Sequence, residues 1–198
     1  MRLSKFIFTI PAIIFLFSTF VFSQNKDKIE PMPATATLTE SQEWLVKAIN
    51  KNFGYTTVED TVKISNLKFD GCTFSYRMHQ TYTDQKAALG DRPALGNTGA
   101  TAAKDITYTV YEDVLFNLKD IDASQIGLGP LPKPKQMQLI SLETIGKKDL
   151  ISFERKGSYV RYNANGKREL VALPVKEKAR EAIAKGFMQV IRLCQATK

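Results

Sequence analysis

The chain has 198 residues, 43% of them hydrophobic, a formal net charge of +8 and one histidine, His79. A length of this order suits one domain with a real core. A Ser–His–acid triad or a histidine zinc site would have only His79 to draw on, and no GxSxG, P-loop, HExxH or GxGxxG pattern is present.

Arg2 and Lys5 precede an apolar run from Phe6 to Phe22, broken by Thr9, Pro11, Ser18 and Thr19, and polarity resumes at Gln24. That order of charge, apolar stretch and small-residue exit predicts a secretory signal peptide over 1–23. A retained membrane anchor is the alternative. The run is about 17 residues, at the low edge for a spanning helix, and Pro11 and the abrupt polar exit favour cleavage. No cysteine follows the run, which argues against lipid anchoring. Cleavage lowers the formal charge from +8 to +6, because the segment carries Arg2 and Lys5 and no acids. No transmembrane segment is expected after it.

Residues 24–38 read as a flexible leader with Pro31 and Pro33, and 39–198 as a single globular domain. A helix is expected from Glu40 to Phe53, with Thr39 and Gln42 at capping-box spacing. Trp44, Leu45, Ala48, Ile49 and Phe53 recur at helical spacing, and Gly54 suits the C′ position. A first strand holds Val62, Ile64, Leu67 and Phe69, and Asp70-Gly71 reads as a two-residue hairpin turn. The second strand, Cys72 to Thr83, puts Cys72, Phe74, Tyr76, Met78 and Tyr82 on one face, with Gln80 the exception. Residues 84–104 lack periodicity and read as a long loop.

A third strand runs from Ile106 to Leu118. Residues 127–135 (GLGPLPKPK) read as a stiff connection. Strands follow at Gln136–Thr144 and Leu150–Arg155, then a hairpin of Tyr159–Asn163 with Lys167–Leu173 around Asn165-Gly166. Pro174 suits the first turn of a closing helix. Its stripe is Val175, Ala179, Ile183, Phe187, Val190 and Cys194.

Cys72 and Cys194 are the two cysteines. An even count in an exported chain suggests a disulfide, and both fall on apolar faces; two buried free thiols are the alternative. The expected class is α+β: an N-terminal helix, then a mostly antiparallel six- or seven-stranded curved sheet or partly open barrel, capped by a C-terminal helix.

That order of strands and closing helix resembles the pleckstrin-homology-like architecture. The blocks Lys68-Phe69-Asp70-Gly71-Cys72-Thr73, Asn117-Leu118-Lys119-Asp120-Ile121-Asp122 and Val190-Ile191-Arg192-Leu193-Cys194 resemble those of uncharacterised exported bacterial proteins. The first resemblance implies headgroup recognition by Lys or Arg at the first hairpin; here that turn is Asp70-Gly71, with Lys68 near. A cystatin-like or NTF2-like cone is a rival topology.

Glu112 interrupts the strict alternation Ile106, Tyr108, Val110, Glu112, Val114, Phe116, Leu118. Burying an unpaired carboxylate is expensive. A β-bulge near Glu112-Asp113 turning it outward is the first expectation. The alternatives are a half-covered edge strand and a polar cavity in which Glu112 binds a ligand or moves protons. Lys147, Lys148, Arg155, Lys156, Lys167 and Arg168 fall at turns and could gather as a contact surface for anionic lipid or glycan, or be a solvated rim. Tyr159 and Tyr162 beside Arg161 are too little for nucleic-acid binding. His79 lies on the polar strand face, where a solvent-facing role is expected. No catalytic residue, metal or cofactor is assigned. The expected function is an exported, non-enzymatic binding or scaffolding domain of the cell envelope. The alternatives are a small envelope enzyme using an acid in a cavity and an assembly subunit that contacts an envelope protein.

Overall fold

Helix α1 (Leu38–Asn52) opens the computed structural model, which describes residues 29–84, 106–131, 134–158 and 163–197. The expected signal peptide, the 84–104 loop beyond Asp84, and Tyr159, Arg161 and Tyr162 lie outside the described residues. The cap of α1 is Thr37 rather than Thr39: its hydroxyl receives the Glu40 amide, and the Glu40 carboxylate receives the Thr37 amide at 2.8 Å. A true capping box satisfies otherwise orphaned amides from both sides, so the helix starts two residues earlier than Glu40. Phe53 is the C-cap, and Gly54 follows at φ +78°, where a Cβ would stand 2.2 Å from the Val62 carbonyl oxygen.

All strand pairs among the described residues are antiparallel. One sheet of six strands runs β1 (Tyr55–Thr56), β2 (Asp60–Asp70), β3 (Thr73–Asp84), β4 (Ile106–Asn117), β7 (Ile151–Gly157) and β8 (Ala164–Arg168). A second runs β5 (Gly127–Pro130), β6 (Met137–Glu143) and β9 (Leu170–Lys176). Neither sheet is closed. Helix α2 (Arg180–Ala196) ends the fold after a 3-10 turn at Glu177–Ala179. The architecture is therefore α+β with a helix at each end, as expected, but its strands divide into two sheets. The Gly/Pro segment read as a connection supplies β5.

Three turns depart from expectation. The β2–β3 loop is Gly71–Cys72, because Asp70 pairs with Thr73; Gly71, at φ +54°, takes the left-handed position that glycine occupies at little steric cost. Asn165 and Gly166 do not turn the chain. They lie inside β8, where Gly166 faces Phe153 of β7. Pro174 lies in β9, not in the helix. β9 ends its sheet, where a missing N–H is tolerated, and the Pro174 carbonyl accepts the Gly54 amide at 3.0 Å. With the Phe53–Val175 bridge, that contact joins the two sheets beside α1. At the other side only Glu169 separates β8 from β9, so one chain passes from sheet to sheet.

The core forms where both helices cover the sheets. Ile183, Phe187, Val190, Ile191 and Cys194 of α2 are fully buried, with Leu45 and Ile49 of α1 and Phe74 on β3. Phe187 meets Phe74 edge-on at 5.7 Å between ring centres, and Phe74 meets Phe116 at 5.4 Å. Each such side chain contributes about 1.5–3 kcal/mol by leaving water. Gly186 lets the helices approach: a Cβ there would lie 2.6 Å from Trp44 Cζ3. Cys72 and Cys194 form a disulfide with their Cα atoms 5.7 Å apart, joining residues 122 apart in sequence. It ties the first hairpin to the terminal helix.

Candidate functional site

On β3 and β4 the inward row is Phe74, Tyr76, Met78, Gln80, Tyr82 against Phe116, Val114, Glu112, Val110, Tyr108. The half nearest α2 is aromatic and aliphatic. The other half holds both polar interruptions of the sequence pattern, Gln80 and Glu112.

Glu112 does not turn outward. The ladders from β3 to β4 and from β4 to β7 pass through it without a shift, Met78 on one side and Arg155 on the other; the irregularity falls between Ser65 and Lys68 on β2. The side chain is 2% exposed. Arg155 donates from Nε (2.9 Å) and from Nη2 to Oε2, and Arg168 Nη2 donates to Oε1 at 2.8 Å. Two guanidiniums thus meet one carboxylate, and the cluster carries one net positive charge. Arg168 is steadied further by the Phe153 ring, 5.1 Å from its Cζ, a favourable cation–π geometry. Burial pushes the Tyr76 phenol well above its ordinary range, with Arg168, its hydrogen-bond partner, pulling it back.

Beside this cluster the inner face opens into a cleft of about 490 Å³, within the usual range for small ligands; among the described residues it is lined by Asp60, Gln80, Tyr82, Thr83, Tyr108, Val110 and Arg155. Asp60 enters because it pairs with Tyr82 across the β2–β3 ladder. No salt bridge forms on Asp60 among the described residues. A hollow of about 590 Å³ near Gly54, Gln136 and Lys176 is larger but has no buried charge behind it.

The six predicted basic contacts do not share one surface. Arg155 and Arg168 point inward to Glu112. Lys156 and Lys167 lie on the outer face, Lys156 paired with Glu154 at 2.8 Å. Lys147 and Lys148 sit in the β6–β7 turn, with Lys147 3.3 Å from Glu143. The turn-like setting of Arg155 and Arg168 in the sequence dissolves because both lie inside strands, β7 and β8, that pair with each other.

On the outer face His79 Nε2 lies 2.9 Å from the Ser65 hydroxyl, and its ring meets Tyr111 edge-on. The nearest acid on that face, Asp113, is engaged by Arg77 at 2.7 and 2.6 Å. A serine and a histidine thus touch, but among the described residues no carboxylate orients the imidazole, and the triad logic stops there. No group of three or more His, Cys, Asp or Glu suited to a metal occurs among the described residues.

The sequence pattern pointed to Glu112 and to Gln80 as exceptions. It did not point to Asp60, Tyr82 or Tyr108 as cleft walls, nor to the two arginines as partners of Glu112. The signal lay in register: two polar residues interrupting neighbouring apolar rows mark one end of a sheet as polar inside.

Comparison of the chain with protein-family profiles, curated proteins and solved structures finds no match to any of them. No helix among the described residues is long and apolar enough to cross a membrane.

Proposed function

We propose that the chain is an exported, non-enzymatic binding domain of the cell envelope that takes a small organic ligand in the cleft beside Glu112. One observation carries the reading. Arg155 forms a wall of that cleft while Glu112, buried beneath it, fixes its Nε and Nη2. A guanidinium held this way is pre-oriented and loses little further freedom on meeting a ligand. Tyr82 and Val110 offer apolar contact beside it, and Gln80 offers amide hydrogen bonds.

A catalytic role for Glu112 is disfavoured by the same contacts, since each of its oxygens already accepts from an arginine. Export is supported by the disulfide, because such bonds persist mainly in oxidising compartments, and by the amino-terminal pattern of charge and apolar residues.

Native mass spectrometry of the full chain, purified from the exported fraction, tests the reading against Gln80→Trp, which fills the cleft. A small-molecule adduct on the wild type that disappears in Q80W is expected. Chemical turnover of the bound molecule, or an adduct indifferent to Q80W, overturns it.

A further inference from the structure

The cleft has opposite charges at its two ends, and they do not pair with each other. Asp60 stands on β2 in the row of Tyr82 and Tyr108, while Arg155 stands on β7 in the row of Glu112, four residues further along β4. At ~4.8 Å between strands and ~3.4 Å per residue along them, three strand steps and four residues place the two Cα atoms roughly 20 Å apart on a flat sheet. An arginine reaches ~6 Å and an aspartate ~2.5 Å, so roughly 10 Å remains between the charged heads, a distance that sheet curvature shortens; extended chain covers it in about three residues.

Net charge narrows the ligand class. The Glu112 cluster carries one positive charge, and Asp60 carries one negative charge at the far end. A purely anionic ligand meets Arg155 at the cost of facing Asp60, and a purely cationic one the reverse; a ligand with separated charges of both signs satisfies both. Tyr82, a wall of the same cleft, feels both charges: burial raises its phenol, Arg155 lowers it, and Tyr55, Asp60 and Glu112 raise it.

We infer that the ligand is a zwitterion with well-separated charges, a short peptide of about two to four residues, whose free ammonium meets Asp60 and whose free carboxylate meets Arg155. The inference rests on the cleft reading above.

Isothermal titration of the full chain with tri-alanine, N-acetyl-tri-alanine and tri-alanine amide tests it. Blocking either end is expected to weaken binding at least about tenfold, the usual effect of leaving a charged partner unmatched. In Asp60→Asn the acetylated and free peptides become equivalent while the amide stays weaker. In Arg155→Gln the reverse holds, and D60N, remote from the buried cluster, remains informative if the Arg155 variant folds poorly. Equal affinity for the three peptides, or no binding by tri-alanine, overturns the inference. If tri-alanine fails while a Q80W-sensitive adduct is present, the peptide assignment falls and the cleft reading stands. An adduct indifferent to Q80W removes both.

Discussion

Glu112 and Arg155 stand directly opposite one another across the β4–β7 ladder, so the carboxylate that interrupts an apolar row meets a guanidinium without any bulge. Arg168, reaching in from β8, takes the other oxygen. Removing one member of such a buried group is far more damaging than replacing the whole group, because the survivors keep their desolvation cost and lose their partner. Glu112→Ala is therefore expected to cost about 3–5 kcal/mol. The triple replacement Glu112→Leu, Arg155→Met, Arg168→Met is expected to recover most of that loss. Urea midpoints of the variants measure both, and a triple variant no better than the single would contradict the account.

The disulfide joins residues separated by 122 positions. Loop-closure entropy for a span of this order is worth about 4–5 kcal/mol. Cys72→Ser with Cys194→Ser should lower the urea midpoint accordingly, and wild-type protein denatured without reductant should take up no iodoacetamide.

Gly186 faces Trp44 and Leu45 where α2 crosses α1, with a Cβ there 3.1 Å from Leu45 Cδ1. Alanine is the better helix former by about 1 kcal/mol, yet overpacking of a filled contact costs about 1–3 kcal/mol. Gly186→Ala should therefore be destabilising in denaturant unfolding, and Trp44 fluorescence should shift in the folded variant. A stabilised G186A would show that the helices can part cheaply.

Tyr76 sets a limit at alkaline pH. Burial holds its phenol above its ordinary range, Arg168 opposing and Glu112 adding. The folded state therefore keeps a proton that the unfolded chain releases near pH 10. The corresponding stability is fully present below about pH 10 and declines as pH rises above it. Tyr76→Phe loses the Arg168 contact, about 1.5–3 kcal/mol at pH 7 because the partner is charged, but its stability should fall less steeply between pH 10 and 11.5. Denaturation curves across that interval compare the slopes; parallel slopes would contradict this role for Tyr76.

The residues that announced themselves were those whose neighbours in sequence share their face. β3 and β4 alternate along their length apart from Gln80 and Glu112, and the stripe from Ala179 to Cys194 repeats at helical spacing, so strand, helix and disulfide could all be read before any fold was known. Asn165-Gly166 misled because the same dipeptide that favours a tight turn also fits a strand where Phe153 lies across from a glycine. Pro174 misled in the same way, since the first turn of a helix and an end strand both excuse a missing amide. The partners of Glu112 were illegible for a different reason. Arg155 and Arg168 are 43 and 56 positions away from it, and only the pairing of β4 with β7 and β7 with β8 brings them together. Asp60 joins the cleft by the same long-range register.

A chain that emerges amino end first presents Cys72 long before Cys194 exists outside the ribosome. With 122 positions between them, synthesis at about 5–20 residues per second leaves the first thiol waiting roughly 6 to 24 s. Until Cys194 is made, Cys72 has no sulfur partner and the residues of β2 and β3 have no α2 to cover them. The crosslink therefore ties residues made early to a helix made 122 positions later.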